Sequence, residues 1–121
     1  MPKITALEKQ KNNDRRISVF VDGEYAFSVF DELAIVYHLE LDKDINTVDL
    51  KPLIEEDEYK RALDRAVKNL SRSEKSRRQI RELLNKNGFS QDAILRAINH
   101  LASLGYLDDW RLAEDFVRRS N

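Results

Sequence analysis

The first 28 residues alternate between apolar and polar side chains, which is typical of β-strands. Ile17, Val19 and Val21 occupy every second position, so their branched side chains share one face of a strand. Asp22-Gly23 follows, and this dipeptide favours a two-residue hairpin turn because both positions tolerate left-handed backbone angles. The alternation resumes beyond the turn, and a polar turn upstream allows a further strand to pair. We therefore predict a small antiparallel meander between Ile4 and Ser28.

The segment that follows, residues 31–58, predicts short helices joined by loops. Asp31 can cap the first of them with its side chain. Pro52 cannot lie deep in a helix, because its ring clashes with the preceding turn and it donates no amide hydrogen. A second helix therefore begins a residue or two before Pro52. The acidic run at 55–58 either links this region to the next helix or opens that helix, where negative charge stabilises the positive end of the dipole.

Three helical periods follow from residue 59, and caps and glycines separate them. Ser76 and Gln79 predict a capping box, in which each side chain satisfies a backbone amide of the other residue. Gly88 and Gly105 predict left-handed C-caps at the ends of the second and third helices. The aromatic residue behind each glycine is expected to fold back onto the core: Phe89 after the first and Tyr106 after the second.

The last segment repeats an earlier one at a fixed offset. Residues 108–113 (DDWRLA) match residues 57–62 (DEYKRA), so acid, acid, aromatic, basic and alanine recur in order. A period of this size is typical of a helical repeat. We therefore expect residues 108–121 to form the first helix of a second, incomplete repeat, and the natural protein to continue past Asn121.

Together these elements predict an α+β fold that is mainly α. A small N-terminal antiparallel β-meander with short helices occupies residues 1–56, and a first three-helix repeat occupies residues 57–107. A chain of 121 residues could form one domain of common size, or two small ones that share a modest core.

Charge is distributed unevenly along the chain. Through Asp57 there are seven Lys and Arg against thirteen Asp and Glu, and from Glu58 onward there are fourteen against nine. The basic excess is concentrated in residues 60–81, which suits this region to a polyanion or to an acidic protein surface. The alternative is a charged helix that is merely solvated. We assign the candidate binding face to six residues of this cluster: Lys68, Arg72, Lys75, Arg77, Arg78 and Arg81.

The other polar residues assemble no convincing catalytic or metal site. His38 and His100 are far apart in the sequence and lack the spacing of a metal-binding pair. The acidic pairs Asp57-Glu58 and Asp108-Asp109 fall where helices are predicted to begin, so helix capping explains them better than acid–base chemistry. The glycines are isolated and form no phosphate loop. We therefore expect no enzyme activity, no cofactor and no bound metal.

Composition also limits where the protein works. The chain has no cysteine, which excludes a disulfide framework and a thiolate metal site. It has no apolar run long enough to span a membrane, and its first residues lack the hydrophobic segment of a secretory signal. We expect a cytoplasmic, monomeric protein with no membrane partner and no small-molecule substrate.

These motifs resemble the RecX family of bacterial recombination regulators, whose members are built from tandem three-helix repeats. The hairpin sequence VDGEYAFSV also looks like the leader region of some members. The similarity spans essentially the whole chain, and Gly-Phe followed by Gly-Tyr-Leu-Asp-Asp at this spacing is fairly specific. The matching residues are Ala62, Ala66, Leu70, Arg72, Ser76, Gln79, Leu83, Gly88, Phe89, Leu101, Gly105, Tyr106, Leu107, Asp108, Asp109, Ala113, Phe116, Val117 and Arg118.

The resemblance implies a regulatory protein of DNA recombination and repair. It implies binding to RecA recombinase and to its filament on single-stranded DNA, with inhibition of ATP hydrolysis and strand exchange, and it implies no cofactor. Members usually carry three repeats, so a chain that stops one helix into the second is expected to be part of a longer regulator. Two other classes of function stay open, namely a stand-alone DNA-binding helical module and a protein-interaction scaffold.

Overall fold

The computed structural model describes residues 1–107, which form three strands and four α-helices. The strands are β1 (Ile4–Lys9), β2 (Arg16–Val21) and β3 (Glu24–Phe30). The helices are α1 (Asp31–Val36), α2 (Leu50–Leu70), α3 (Arg77–Lys86) and α4 (Gln91–Ser103), and a 3-10 turn at Ile45–Thr47 precedes α2. The predicted α+β, mainly α fold class is confirmed, whereas the predicted helix over residues 108–121 lies outside the described residues.

The three strands form the predicted antiparallel meander, in the order β1-β2-β3. Asp22 and Gly23 both have positive φ angles, 51° and 84°, as the hairpin turn between β2 and β3 requires. Val19 of β2 lies opposite Phe27 of β3, so the apolar positions of the two strands face the same side. This side of the sheet covers the core of the first unit.

The chain divides into two compact units after Asp57, and each unit has its own core. The core of the first unit combines the apolar face of the sheet with residues from α1, the loop before α2 and the start of α2. Its buried members are Ile4, Val19, Val29, Phe30, Leu33, Ala34, Leu39, Ile45, Val48 and Leu53. Their burial follows the alternation and the helical spacing that the sequence shows.

The start of α1 differs from its prediction. Asp31 does not cap this helix, because it is already the first helical residue and its carboxylate accepts only the adjacent amide of Glu32, at 2.7 Å. The cap position belongs to Phe30, the last residue of β3, whose backbone is extended and whose side chain caps nothing. The strand therefore runs directly into the helix, and no turn residue stands between them.

α2 is one continuous helix of 21 residues. The sequence had predicted that the acidic run at 55–58 either links two helices or opens the second one. Pro52 lies in its first turn, as predicted, where the missing amide hydrogen has no helical acceptor to lose. The acidic run continues the helix because glutamate is a good helix former. Asp57 and Glu58 are therefore mid-helix residues, and the prediction that they stand at a helix start is wrong.

The second unit is a three-helix arrangement of α2, α3 and α4. Its core combines buried alanines with larger aliphatic residues from the three helices. The buried members are Ala62, Ala66, Ile80, Leu84, Ala93, Ile94, Ala97, Ile98 and Leu101. Within residues 1–107, no helix is both long enough and apolar enough to cross a membrane.

The predicted caps of α3 and α4 are present. The Ser76 Oγ accepts from the Gln79 amide at 3.1 Å while the Ser76 amide donates to Gln79 Oε1 at 2.9 Å, which completes the capping box. Gly88 and Gly105 have φ angles of 83° and 78°, and the amide after each donates back into the last helical turn. Local sequence was sufficient to predict these turns, because all their partners lie within five residues.

The two aromatics behind the glycines differ, and the prediction for Tyr106 is wrong. Phe89 packs against the core of the second unit, whereas Tyr106 is 61% exposed. Tyr106 lines an open cleft of about 440 Å³ together with Val67 and Leu70 of α2. The two glycine turns have the same backbone conformation, but the residues that follow them differ in burial. The turn alone therefore does not predict whether the next side chain is buried.

Candidate functional site

The six candidate basic residues lie along one stretch of the second unit. Lys68 is in the last turn of α2, Arg72 and Lys75 are in the connection to α3, and the other three are in the first half of α3. All are exposed except Lys75, which is half-buried. The connection is a tight turn in which the Arg72 amide donates to the Asn69 carbonyl at 3.1 Å. The structure therefore keeps these residues on the surface, near one helix start.

Lys68 and Arg78 have acidic neighbours on their own helices. The Lys68 ammonium lies 3.2 Å from Asp64, and the Arg78 guanidinium lies 3.1 Å from Glu82. Arg78 and Glu82 have side-chain exposures of 85% and 66%, so water screens this pair and its energy is small. Both cations are exposed, so a ligand can reach them from the solvent.

Three others have a different environment. Within residues 1–107, Arg72, Lys75 and Arg81 form no ion pair with an acidic side chain. Arg77 and Arg81 are one helical turn apart, so they project from the same side of α3. Their guanidinium groups present planar donors that suit phosphate or carboxylate.

Lys75 lies on a different side of α3 from this arginine pair. It lines a surface cleft of about 300 Å³, whose other walls come from the end of α2 and the length of α3. The lining residues are Asn69, Lys75, Gln79, Glu82, Leu83 and Lys86. The six predicted residues are thus distributed over at least two flanks of α3 and do not form one flat face.

Lys86 is a basic residue that the sequence prediction omitted. It lies in the last turn of α3, outside the dense basic cluster, yet it lines the same cleft as Lys75. Gln79, Leu83 and Lys86 are spaced by four and three residues, which places them on one side of a helix. This spacing could have indicated that Lys86 belongs to the cleft. The sequence prediction was instead based on the density of basic residues, and Lys86 lies outside the dense cluster.

The helices behind the basic residues are held together by a polar contact between α2 and α4. Glu58 accepts two hydrogen bonds from Ser90, one from the hydroxyl at 2.7 Å and one from the backbone amide at 3.1 Å. The Ser90 hydroxyl oxygen in turn caps α4 by accepting from the Ala93 amide. A carboxylate of the protein itself therefore occupies the start of α4.

Two arginines of the second unit lie over aromatic rings. The Arg96 guanidinium carbon is 4.0 Å from the centre of the Tyr59 ring, and that of Arg61 is 5.7 Å from the centre of the Phe89 ring. Both rings also pack against the core. These two aromatics therefore serve packing and cation–π contacts, and are not exposed platforms for stacking bases.

The described residues hold no metal-binding group of three or more His, Cys, Asp or Glu side chains. His38 and His100 are both exposed and belong to different units. The acidic pair Asp57-Glu58 is occupied by hydrogen bonds, to Arg16 and Phe30 on one side and to Ser90 on the other. The second acidic pair, Asp108-Asp109, lies outside the described residues, as do Trp110 and Phe116.

Comparison with known proteins assigns both parts of the chain to one family. A family model for the regulatory protein RecX N-terminal domain matches residues 2–46, and a model for the first three-helix domain of RecX matches residues 62–101. Together the two models cover more than two thirds of the chain.

Curated relatives agree with these models. The regulatory protein RecX of Clostridium botulinum (strain Eklund 17B) is 37% identical over 118 residues, and that of Clostridium tetani is 33% identical over 115 residues. These alignments cover 98% and 95% of this chain but only 56% and 53% of the relatives. The chain therefore spans just over half the length of the curated relatives it matches.

A solved structure shows the same fold. A crystal structure of regulatory protein RecX superimposes with a TM-score of 0.72 and 23% sequence identity, covering 98% of this chain and 58% of that one. At this identity the superposition supports the fold, while the matched domains and the sequence relatives support the family. The chain therefore belongs to the RecX family of regulatory proteins.

Proposed function

We propose that this chain contributes to the regulation of RecA recombinase. It binds the RecA filament on single-stranded DNA and inhibits both ATP hydrolysis and strand exchange. Membership of the RecX family supports this proposal, since its members are named as regulatory proteins. In this account the protein acts in the cytoplasm during DNA repair, as a monomer that binds partners and catalyses no reaction.

The observation that carries the proposal is the basic face of the second unit, a set of six cations spread over at least two flanks of α3. Its six residues are Lys68, Arg72, Lys75, Arg77, Arg78 and Arg81. A nucleoprotein filament exposes DNA phosphates, and a surface with several solvent-exposed cations is attracted to such a polyanion at long range. The acidic first unit is repelled by phosphate, so we assign it no DNA contact.

We further propose a domain organisation for this activity. Residues 57–107 constitute one three-helix repeat that carries the basic face, residues 1–56 form an N-terminal domain, and residues 108–121 begin a second repeat. The greater length of the relatives is consistent with a regulator in which further repeats add to the contact area. Such an arrangement increases affinity by making several weak contacts simultaneous.

A second candidate function is DNA binding without RecA. The exposed side of α3, with arginines at its first turns, favours this alternative because a basic helix can contact a DNA groove directly. The two functions differ in one measurement, the DNA-dependent ATPase rate of RecA with and without the chain. Inhibition at chain concentrations too low to cover free DNA supports the RecA function. Inhibition that appears only when the chain saturates the DNA supports the alternative.

A further inference from the structure

We propose that the cleft beside α3 is a binding site for one phosphodiester group of a DNA backbone. The groups that would contact the phosphate are Lys75 and Lys86, with Asn69 and Gln79 beside them. The inference deepens the proposed function, because it specifies DNA as the direct ligand of one part of the basic surface. It adds Lys86 to that surface and separates the role of the cleft from that of Arg77 and Arg81.

The charges in the cleft favour an anion. Two ammonium groups line it, and the carboxylate of Glu82 is the acidic group among the lining residues. That carboxylate accepts a hydrogen bond from the Arg78 guanidinium at 3.1 Å, so a neighbouring cation compensates its charge. The cleft therefore presents a net positive charge to a ligand.

The capping box orients a hydrogen-bond donor at the same place. Gln79 Oε1 is fixed by the Ser76 amide at 2.9 Å, and a side-chain amide has its donor group on the opposite branch. No residue among 1–107 accepts a hydrogen bond from Gln79 Nε2. The cap thus holds the amide in one orientation while its NH₂ group stays available to an oxygen ligand.

The cations of the cleft suit a single phosphate of a DNA backbone. A lysine ammonium acts as a compact point charge and is a common phosphate ligand, and it does not need the bidentate geometry that arginine offers to phosphate or carboxylate. The cleft contains lysines, and the arginine pair Arg77 and Arg81 lies elsewhere on α3. The cleft is open to the solvent and has a volume of about 300 Å³, so a backbone phosphate can enter it from the surface.

The test is a salt titration of binding to fluorescein-labelled oligothymidylate, followed by anisotropy, with the 121-residue chain and its variants. Lys86→Gln removes one cation, and Lys75→Gln with Lys86→Gln removes both. Gln79→Glu keeps the capping box, which accepts glutamate, but puts a carboxylate in the cleft. Lys51→Gln is the matched control, an exposed lysine near the start of α2 in the first unit. Thermal unfolding of each variant verifies that the fold is retained.

We expect the salt slope to decrease by about 0.7 in the double variant, since the cleft neutralises one phosphate of a single strand, and to decrease by less than that in Lys86→Gln. The same relation predicts about fivefold weaker binding of the double variant at 0.1 M salt, and a smaller loss in Lys86→Gln. Gln79→Glu should weaken binding at least as much as Lys86→Gln, and Lys51→Gln should leave slope and affinity unchanged.

An unchanged slope in the double variant would overturn the inference, as would displacement of the oligothymidylate from wild-type chain by polyglutamate at equal charge concentration. The RecA ATPase assay separates this result from the proposed function. If the variants show the expected slopes but the chain does not inhibit RecA, the phosphate site is supported and the proposed function is contradicted. If the chain inhibits RecA but the slopes are unchanged, the proposed function is supported and the phosphate site is contradicted.

Discussion

Arg16 and Asp57 form a bidentate ion pair, in which Nη1 lies 3.1 Å from Oδ1 and Nη2 lies 3.2 Å from Oδ2. Their side chains are only 14% and 5% exposed. Asp57 Oδ1 also accepts the Phe30 amide at 2.9 Å, and Arg16 Nη2 donates to the Ser28 carbonyl at 3.0 Å. Within the first unit, the pair therefore connects α2 to the central strand β2 and to the edge strand β3.

Asp57→Ala should lower the free energy of unfolding by about 3–5 kcal/mol, because it leaves the buried Arg16 charge and the Phe30 amide without their acceptor. Asp57→Asn should cost less, since its side-chain oxygen can still accept the Phe30 amide. Urea unfolding measures both. Glu55→Ala, an exposed acidic position on the same helix, should stay within about 0.5 kcal/mol of wild type. A loss in Asp57→Ala no larger than this would contradict the assigned role of the pair.

The partner of Asp57 could not be predicted from the sequence. The two residues are separated by 41 positions, and the helical pattern offered a simpler account of Asp57 as a helix-start residue. The continuity of α2 was missed for a different reason, because the acidic run was interpreted as a linker or a helix start although glutamate also favours the middle of a helix. Long-range pairs of this kind depend on the packing of β2 against α2, which local periodicity does not specify.

Gly88 provides a prediction about backbone strain alone. Its φ is 83°, and a Cβ added there would meet no atom within 4 Å. Gly88→Ala should therefore cost about 1–2 kcal/mol, the conformational penalty of the left-handed region, without any steric term. Gly88→Asn should recover part of this loss because asparagine tolerates that conformation. Equal stability of the glycine and alanine proteins in urea unfolding would show that the turn relaxes to another conformation.

Phe89 and Tyr106 test the difference between the two aromatic positions. Phe89→Ala should destabilise the second unit by roughly 2–3 kcal/mol, below the range for a fully buried phenylalanine, because the ring is partly buried against the core. Tyr106→Ala should change stability by less than about 1 kcal/mol, since its side chain is largely exposed. Thermal or urea unfolding of the two variants gives the comparison. Similar losses in both would mean that Tyr106 packs in solution as the sequence suggested.

The sequence predicted the parts of the fold that depend on near neighbours. The Asp22-Gly23 hairpin, the Ser76 capping box and the glycine C-caps all involve partners a few residues away, and all are present. The candidate site was predicted less completely. The basic residues were identified by their density along the chain, but their division between two flanks of α3, and the place of Lys86 in the cleft, depend on how α3 packs beside α2.

If the basic face of the second unit mediates an effect on RecA, the most direct measurement is the DNA-dependent ATPase rate of RecA across a titration of this chain. Wild-type chain should lower the rate. Arg77→Glu with Arg78→Glu should require roughly tenfold or more chain for the same inhibition at 0.1 M salt, since two cationic contacts are reversed. Lys51→Glu in the first unit, the matched control, should inhibit like wild type. Equal inhibition by the reversed variant and wild type, or no inhibition by either, would contradict the account.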